Sequence, residues 1–519
     1  MQSSLVERPV TLATWLGFSM MCLGMFMAVL DVQVVATSLP TIQKALAIRP
    51  DQMSWIQTAY LIAEVIAIPL TGLLTRALSM RWLTVIAVGL FTLASAGCAA
   101  SRNFELLIVF RIVQGFSGGT LIPAVFSAVF LLFPFRLQGV ATTIAGVLAV
   151  LAPTLGPVVG GWITQTWSWH WLFLINVAPG IVAALGAALF LPAEPARVGA
   201  IRTLDAVAFG LMALALAVLE IALKDAPDHG WSSALVLTLL AVAAIAGAGF
   251  VRRSLGPGAP VVELRTLTDP TFAIGCGLSF VVGIGLFGSV YLMPVFLAFV
   301  RGHGPLAIGE IILVTGGAQL AAAPLAVALE RRMDARVLTA FGFAVFGVGL
   351  GLSAFQTTDT DFSAMFVPQA LRGIGVMFCL LPPTRLALGR LAPAEVPDAS
   401  GLFNLMRNLG GAIGLALIDT VIYGRAPVHA RHIIARLQAG DDATAQAVGI
   451  PLMLYHARPA GPVDAGTAAM LRPAIQHLAT TLAINEAWAM VAIVTLAALL
   501  AVPFAKASAS HLQPKETQP

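Results

Sequence analysis

The chain has 519 residues, of which 58% are hydrophobic and 10% charged, with a mean hydropathy of +0.90 and a formal charge of +4. Soluble domains carry about 25% charged residues, so a chain this long and this apolar cannot cover its surface in water. Composition excludes a soluble fold and points to an all-α polytopic membrane protein, and the small positive charge reads as loop topology with no nucleic-acid partner implied.

Fourteen apolar stretches approach the roughly 20 residues that a membrane helix needs: 14–37, 54–75, 82–100, 105–131, 139–163, 171–191, 204–223, 234–251, 271–297, 306–329, 337–355, 362–388, 398–422 and 484–505. With the N-terminus in the cytoplasm, the inner segments hold 16 Lys and Arg and the short outer loops hold 5. That bias places both termini in the cytoplasm. Arg8 precedes a full-length first stretch without a small-residue cleavage site, so this stretch is expected to remain as a span. The four cysteines lie in separate spans and read as small buried hydrophobes.

The first span ends in "MAVLDVQVVATSLP", residues 27–40, with Asp31 as its lone carboxylate. An ionised Asp at a span centre costs about 2.5–3.5 kcal/mol, so it needs a partner or a proton. The second span carries Glu64 in "QTAYLIAEVIAIPLTG", placed either to exchange a proton or to hold a cation. The fourth holds Arg111 in "FRIVQGFSGGTLIP". A guanidinium keeps its proton in a protein, and Asp31, at similar depth, is its candidate acceptor. Such a pair is either a proton-sensitive latch or a permanent lock between two helices. In the fifth span, "GVLAVLAPTLGPVVGGWI", Gly156 and Gly160 share a helix face and allow close approach. Pro153 and Pro157 each remove a backbone donor and bend the helix.

Two segments recur. "LTGLLTRALSMRWLTVIAVGLFTL" at Leu70 resembles "LAVALERRMDARVLTAFGFAVFGV" at Leu325, 255 residues later, and Arg111 aligns with Arg372 of "LRGIGVMFCLLPP", 261 residues later. Nearly equal offsets argue for two homologous halves with a substrate path between them, as in large transporters. The division is a six-span bundle at 1–191, a linker with two extra spans at 192–270, and a second six-span bundle at 271–519. Glu220, in the extra pair, is expected to be peripheral. The second bundle includes a long outer loop, 424–483, in which "HARHIIARLQAGDDATAQAV" has the pattern of an amphipathic helix.

A path for organic molecules is mostly apolar with few polar groups. Gln33, Thr37, Gln57, Tyr60 and Gln114 supply them in the first half, and Tyr291, Met293, Arg372 and Asn404 in the second; each also reads as ordinary packing. His429 and His432 share a helix face without a third ligand, so no metal is expected, and no cofactor. A phosphate-binding loop of the GxxxxGK[ST] type is absent, which leaves an ion gradient as the energy source. A lipid-modifying enzyme would need His, Asp or Ser clusters at one membrane face, and the sequence offers none.

Five stretches together resemble the major facilitator superfamily, and within it the fourteen-span drug:proton antiporters of the EmrB/QacA type. "VLDVQVVATSLPTIQKAL" is similar to the first-helix signature, "FRIVQGFSGGTLIP" to the fourth-helix motif and "GVLAVLAPTLGPVVGGWI" to the antiporter motif. "WSWHWLFLINVAPG" is similar to the start of the sixth helix, and "SGLFNLMRNLGGAIGLAL" to the thirteenth. The loop "GLLTRALSMRW" keeps Gly72 of the superfamily's "GxLxDRxGRR" but has Thr75 at the acidic position, so the usual clamp across the cytoplasmic face is missing or rebuilt. The resemblance implies a major facilitator fold of two six-helix bundles plus two inserted helices in a bacterial inner membrane. It implies proton-driven efflux of amphipathic compounds, with Asp31, Arg111 and Glu64 in coupling and gating. Gly146, Pro153, Gly156, Pro157, Gly160 and Gly161 would form the antiporter motif. A periplasmic adaptor and an outer-membrane channel are the partners it suggests. The alternative cargo is an endogenous metabolite, such as a siderophore or an amino acid derivative.

Overall fold

Helices begin where a short polar side chain can answer free backbone N–H groups. Asn103, Asp205, Ser233, Asp269, Asp334 and Asp361 each accept from a backbone amide one to three residues on. In the computed structural model the described residues are 10–505 apart from 37, 49–52, 54, 195–198, 200–204, 257–259, 331 and 458–464. Thr37 and most of the linker at 192–205 therefore lie outside them. The long helices are α1 (Leu12–Ala36), α2 (Trp55–Ala67), α3 (Thr71–Ala100), α4 (Phe104–Leu132), α5 (Phe135–Thr166), α6 (Val177–Phe190) and α7 (Ala206–His229). They continue with α8 (Ala234–Ser254), α9 (Pro270–Phe299), α10 (Pro305–Glu330), α11 (Ala335–Leu352), α12 (Phe362–Leu388), α13 (Val396–Gln438) and α14 (Ala465–Ala497). No strand occurs among the described residues.

Among the described residues, thirteen helical stretches are long and apolar enough to cross a membrane. One of them, Trp55–Ala100, runs for 46 residues and contains both the second and the third expected spans. At 1.5 Å per residue it would measure about 69 Å, more than twice a bilayer core. The backbone leaves helical geometry at Ser79 (φ 69°, ψ 160°), within the basic loop between those spans.

Packing repeats along the chain. In the first set α1 meets α4, α5 and α6, α2 meets α4, and α3 meets α4 and α6; in the second, α9 meets α12, α13 and α14, α10 meets α12, and α11 meets α12 and α14. The two sets touch along α5 and α10, and where α13 meets α4 and residues 68–100. α7 and α8 pair with each other, and α7 also lies against both α2 and α13.

The segment 424–483, expected as a long loop, is largely helical. α13 continues to Gln438, short helices follow at Asp442–Val448 and Leu452–His456, and α14 starts at Ala465. Hydropathy marks where a helix leaves the apolar layer, not where it stops, and the 43 residues of α13 span about 65 Å. Ile433, Val448, Ile475 and Ala479 form a small core in this extension, and Arg425 and His429 both bond Glu486, at 2.6 and 2.9 Å.

Glycines set the closest helix contacts. A Cβ on Gly115 would lie 2.2 Å from the Tyr60 carbonyl oxygen, and one on Gly283 would lie 2.0 Å from that of Arg407, whereas Gly89 and Gly277 have nothing within 4 Å. Gly115→Ala and Gly283→Ala should each lose about 1–3 kcal/mol through overpacking. Gly89→Ala and Gly277→Ala should be neutral or gain up to about 1 kcal/mol of helix propensity. Thermal unfolding of the four detergent-solubilised variants measures the contrast.

Candidate functional site

Asp31 is 1% exposed and Arg111 fully buried. Arg111 Nη1 donates to Asp31 Oδ2 at 2.5 Å, and its Nε donates to the Ile56 carbonyl at 3.0 Å. The other carboxylate oxygen accepts from Gln114 Nε2 at 2.9 Å and from Asn176 Nδ2 at 2.8 Å. Gln114 also donates to Ser95 Oγ at 2.8 Å and accepts from Arg111 Nη1 at 2.7 Å. The guanidinium lies 4.4 Å over the Tyr60 ring, and the Tyr60 hydroxyl donates to the Ala28 carbonyl at 3.2 Å. One ion pair thus ties α1 and α4 to α2, α3 and the start of α6. Tyr60 and Gln114, expected to line the path, are enclosed in this cluster. Ser95 and Asn176 were not singled out from sequence. Asn176 stands in the stretch "WSWHWLFLINVAPG", but a neutral amide gives no charge signal.

Glu64 is 9% exposed on α2 and has neither a hydrogen bond nor an ion pair among the described residues. Glu220 lies on α7, the inserted helix that packs against α2. Gln33 and Gln57 are half-buried. On α5, Gly156 lets α1 approach, since a Cβ there would sit 2.3 Å from Gln33 Cβ, and Val158 and Thr154 meet Gly309 and Gly316 of α10. Gly146 has open space beside it. Gly160 and Gly161 are buried and their carbonyls accept from Thr164, while Pro153 and Pro157 sit inside an unbroken helix.

In the second half the Tyr291 hydroxyl donates to Asp419 Oδ1 at 2.7 Å and Asn404 donates to the Ser400 carbonyl at 2.9 Å. Met293 and Arg372 are buried against each other. Arg407 is 8% exposed, and its guanidinium lies 5.6 Å from the ring of Phe126, which belongs to the first half.

The clamp is rebuilt at the end that the Lys/Arg bias assigns to the cytoplasm. Arg76 forms an ion pair with Asp398 of α13, and Gly72 leaves room for that carboxylate. Ser400 donates to the Pro123 carbonyl at 2.9 Å nearby. Arg385 pairs with Glu330 at 3.2 Å and lies 4.2 Å from the Phe135 ring of α5.

The Major Facilitator Superfamily matches residues 21–415. The colistin resistance protein EmrB of Acinetobacter baumannii is 38% identical over 421 residues, 81% of this chain and 82% of that protein. The multidrug export protein EmrB of Escherichia coli K12 is 29% identical over 409 residues, 78% of this chain and 80% of that one. The crystal structure of the human organic anion transporter MFSD10 superposes with a TM-score of 0.59 over 94% of this chain and 99% of the other; at 14% identity it shows the shared fold. The chain belongs to the Major Facilitator Superfamily, as an EmrB-type efflux transporter that crosses the bacterial inner membrane many times.

Proposed function

We propose that the chain expels amphipathic organic compounds in exchange for protons, by alternating access between the halves at 1–191 and 271–519. The Asp31 cluster carries this reading. Asp31 accepts three donors from α4 and the start of α6 around one carboxylate. A proton on Asp31 removes the charge that balances Arg111 and leaves a buried cation unanswered, which favours separation of α1 from α4 or entry of water. The pair is then a latch whose state depends on one proton. Glu64, buried and unpaired, is a second carrier or the point that holds a cargo's positive charge.

The names of the relatives, which specify colistin resistance and multidrug export, favour a toxic amphiphile over an endogenous metabolite. The helical extension of α13 and α14 beyond the apolar layer is the surface we assign to a periplasmic adaptor with its outer-membrane channel. Exposed Met453, Leu454 and Met470 supply apolar contacts there.

In acidified inverted vesicles, adding cargo should alkalinise the lumen with the wild-type protein and fail to do so with Asp31→Asn. Alkalinisation that persists in both Asp31→Asn and Glu64→Gln sinks the assignment of these residues as proton carriers.

The same pair predicts a coupling in stability. Breaking a buried ion pair from one side costs about 3–5 kcal/mol, because the other charge stays buried. Asp31→Leu and Arg111→Met should each show such a loss. The double variant should be more stable than their sum predicts by about 1–3 kcal/mol, measured by chemical unfolding in detergent; strictly additive losses would mean that the charges are not coupled.

A further inference from the structure

Arg372 is the counterpart of Arg111, but its acid is missing. The offset pairs Arg111 with Arg372 (372 − 111 = 261) and brings Asp31 to Leu292, one residue before Met293. The contacts agree: where Arg111 donates to Asp31, Arg372 Nη2 points at Met293 Sδ at 3.6 Å. Where Tyr60 lies under Arg111, the ring of Trp488 lies 4.8 Å from the Arg372 guanidinium. A thioether is a weak acceptor and carries no charge, and a guanidinium does not give up its proton. Arg372 is 3% exposed and forms no ion pair among the described residues.

The surroundings are those of an empty acceptor position. Among the described residues, Arg372 Nε and Trp488 Nε1 are buried donors without a partner, and the side-chain oxygen of Gln356 is likewise unmatched. Asparagine and glutamine amides exchange nitrogen and oxygen by rotation, so Gln356 can present a donor. Beside these groups lies a cavity of about 60 Å³ lined by Met293, Ser353, Gln356, Thr360 and Arg372. That is well above the roughly 10–15 Å³ that admits one water-sized group. Asp361, next in the chain to the lining residue Thr360, is already engaged by Arg301 at 2.9 Å and His303 at 3.2 Å.

We propose that this pocket between α9, α12 and the end of α11 binds one small monovalent anion, chloride or the carboxylate of a small acid. The anion supplies to Arg372 the charge that Asp31 supplies to Arg111. The first half thus carries its counter-ion in the chain and the second takes its own from solution.

The test is the melting of the purified full chain in chloride, formate or gluconate, the last being too bulky to enter. Chloride or formate should raise the melting temperature saturably by a few degrees over gluconate. A response to chloride alone assigns a halide, and a response to formate alone assigns a carboxylate. Arg372→Gln should lose the response, and Met293→Asp, which restores the missing acid, should melt equally in all three salts. Bromide should quench a component of tryptophan emission that disappears in Trp488→Phe, a readout in the unaltered site that does not depend on either variant folding. Equal melting of the wild type in all three salts without bromide quenching overturns the proposal, as does an undiminished anion response in Arg372→Gln.

Discussion

A guanidinium that cannot lose its proton, buried where water does not reach, must be balanced by whatever the surrounding helices bring to it. In the first half that requirement organises the interior. Arg111 claims Asp31, Gln114 and the Ile56 carbonyl, and Asp31 in turn claims Asn176. All but the Arg111–Gln114 bond, which lies within α4, fix one helix against another in a medium of low dielectric, where an unpaired polar group is costly and a paired one is strongly held. The glycines beside the cluster serve the same end. Gly115 brings α4 against the backbone of Tyr60 and Gly119 brings it against that of Glu64, so the ion pair and the ring beneath it come together without strain.

The second half keeps the scaffold and drops the acid. Its helices meet in the same order, with a buried Arg on the fourth helix of the set and an aromatic ring over it. Met293 stands where the carboxylate would be. The buried carboxylates of the second half, Glu330 and Asp398, pair with Arg385 and Arg76 and not with Arg372. The second half is linked to the first through Arg76–Asp398 and through the contact of α5 with α10.

The legible parts of this arrangement are those written in charge and apolarity. Asp31, Glu64 and Arg111 stood out because an ionised group in an apolar run is expensive, and the repeat stood out because two offsets nearly agree. The direction each side chain faces was not legible. These helices are buried on several sides, so sequence gives depth but little azimuth, and Tyr60 and Gln114 read as path-lining when they lie inside the cluster. Arg76 and Asp398 are 322 residues apart, and no local spacing could pair them; Thr75 in place of an acid signalled only that the usual partner had moved. At 424–483 only the amphipathic stretch "HARHIIARLQAGDDATAQAV" was legible as helix, because a helix that leaves the membrane loses its apolar signature while its backbone pattern continues.

The inserted helices take on a different weight in this light. α7 lies against α2 of one half and α13 of the other. Lys224 Nζ is 4.8 Å from the Trp55 ring, and Trp231 just beyond the helix donates to Thr420 of α13 at 2.8 Å. Glu220, Lys224 and Asp228 recur every four residues and so share one face. α7 thus bridges the two halves, with Lys224 against α2 on one side and Trp231 against α13 on the other, so the inserted pair is tied to both bundles by specific side chains and does not merely lie beside them.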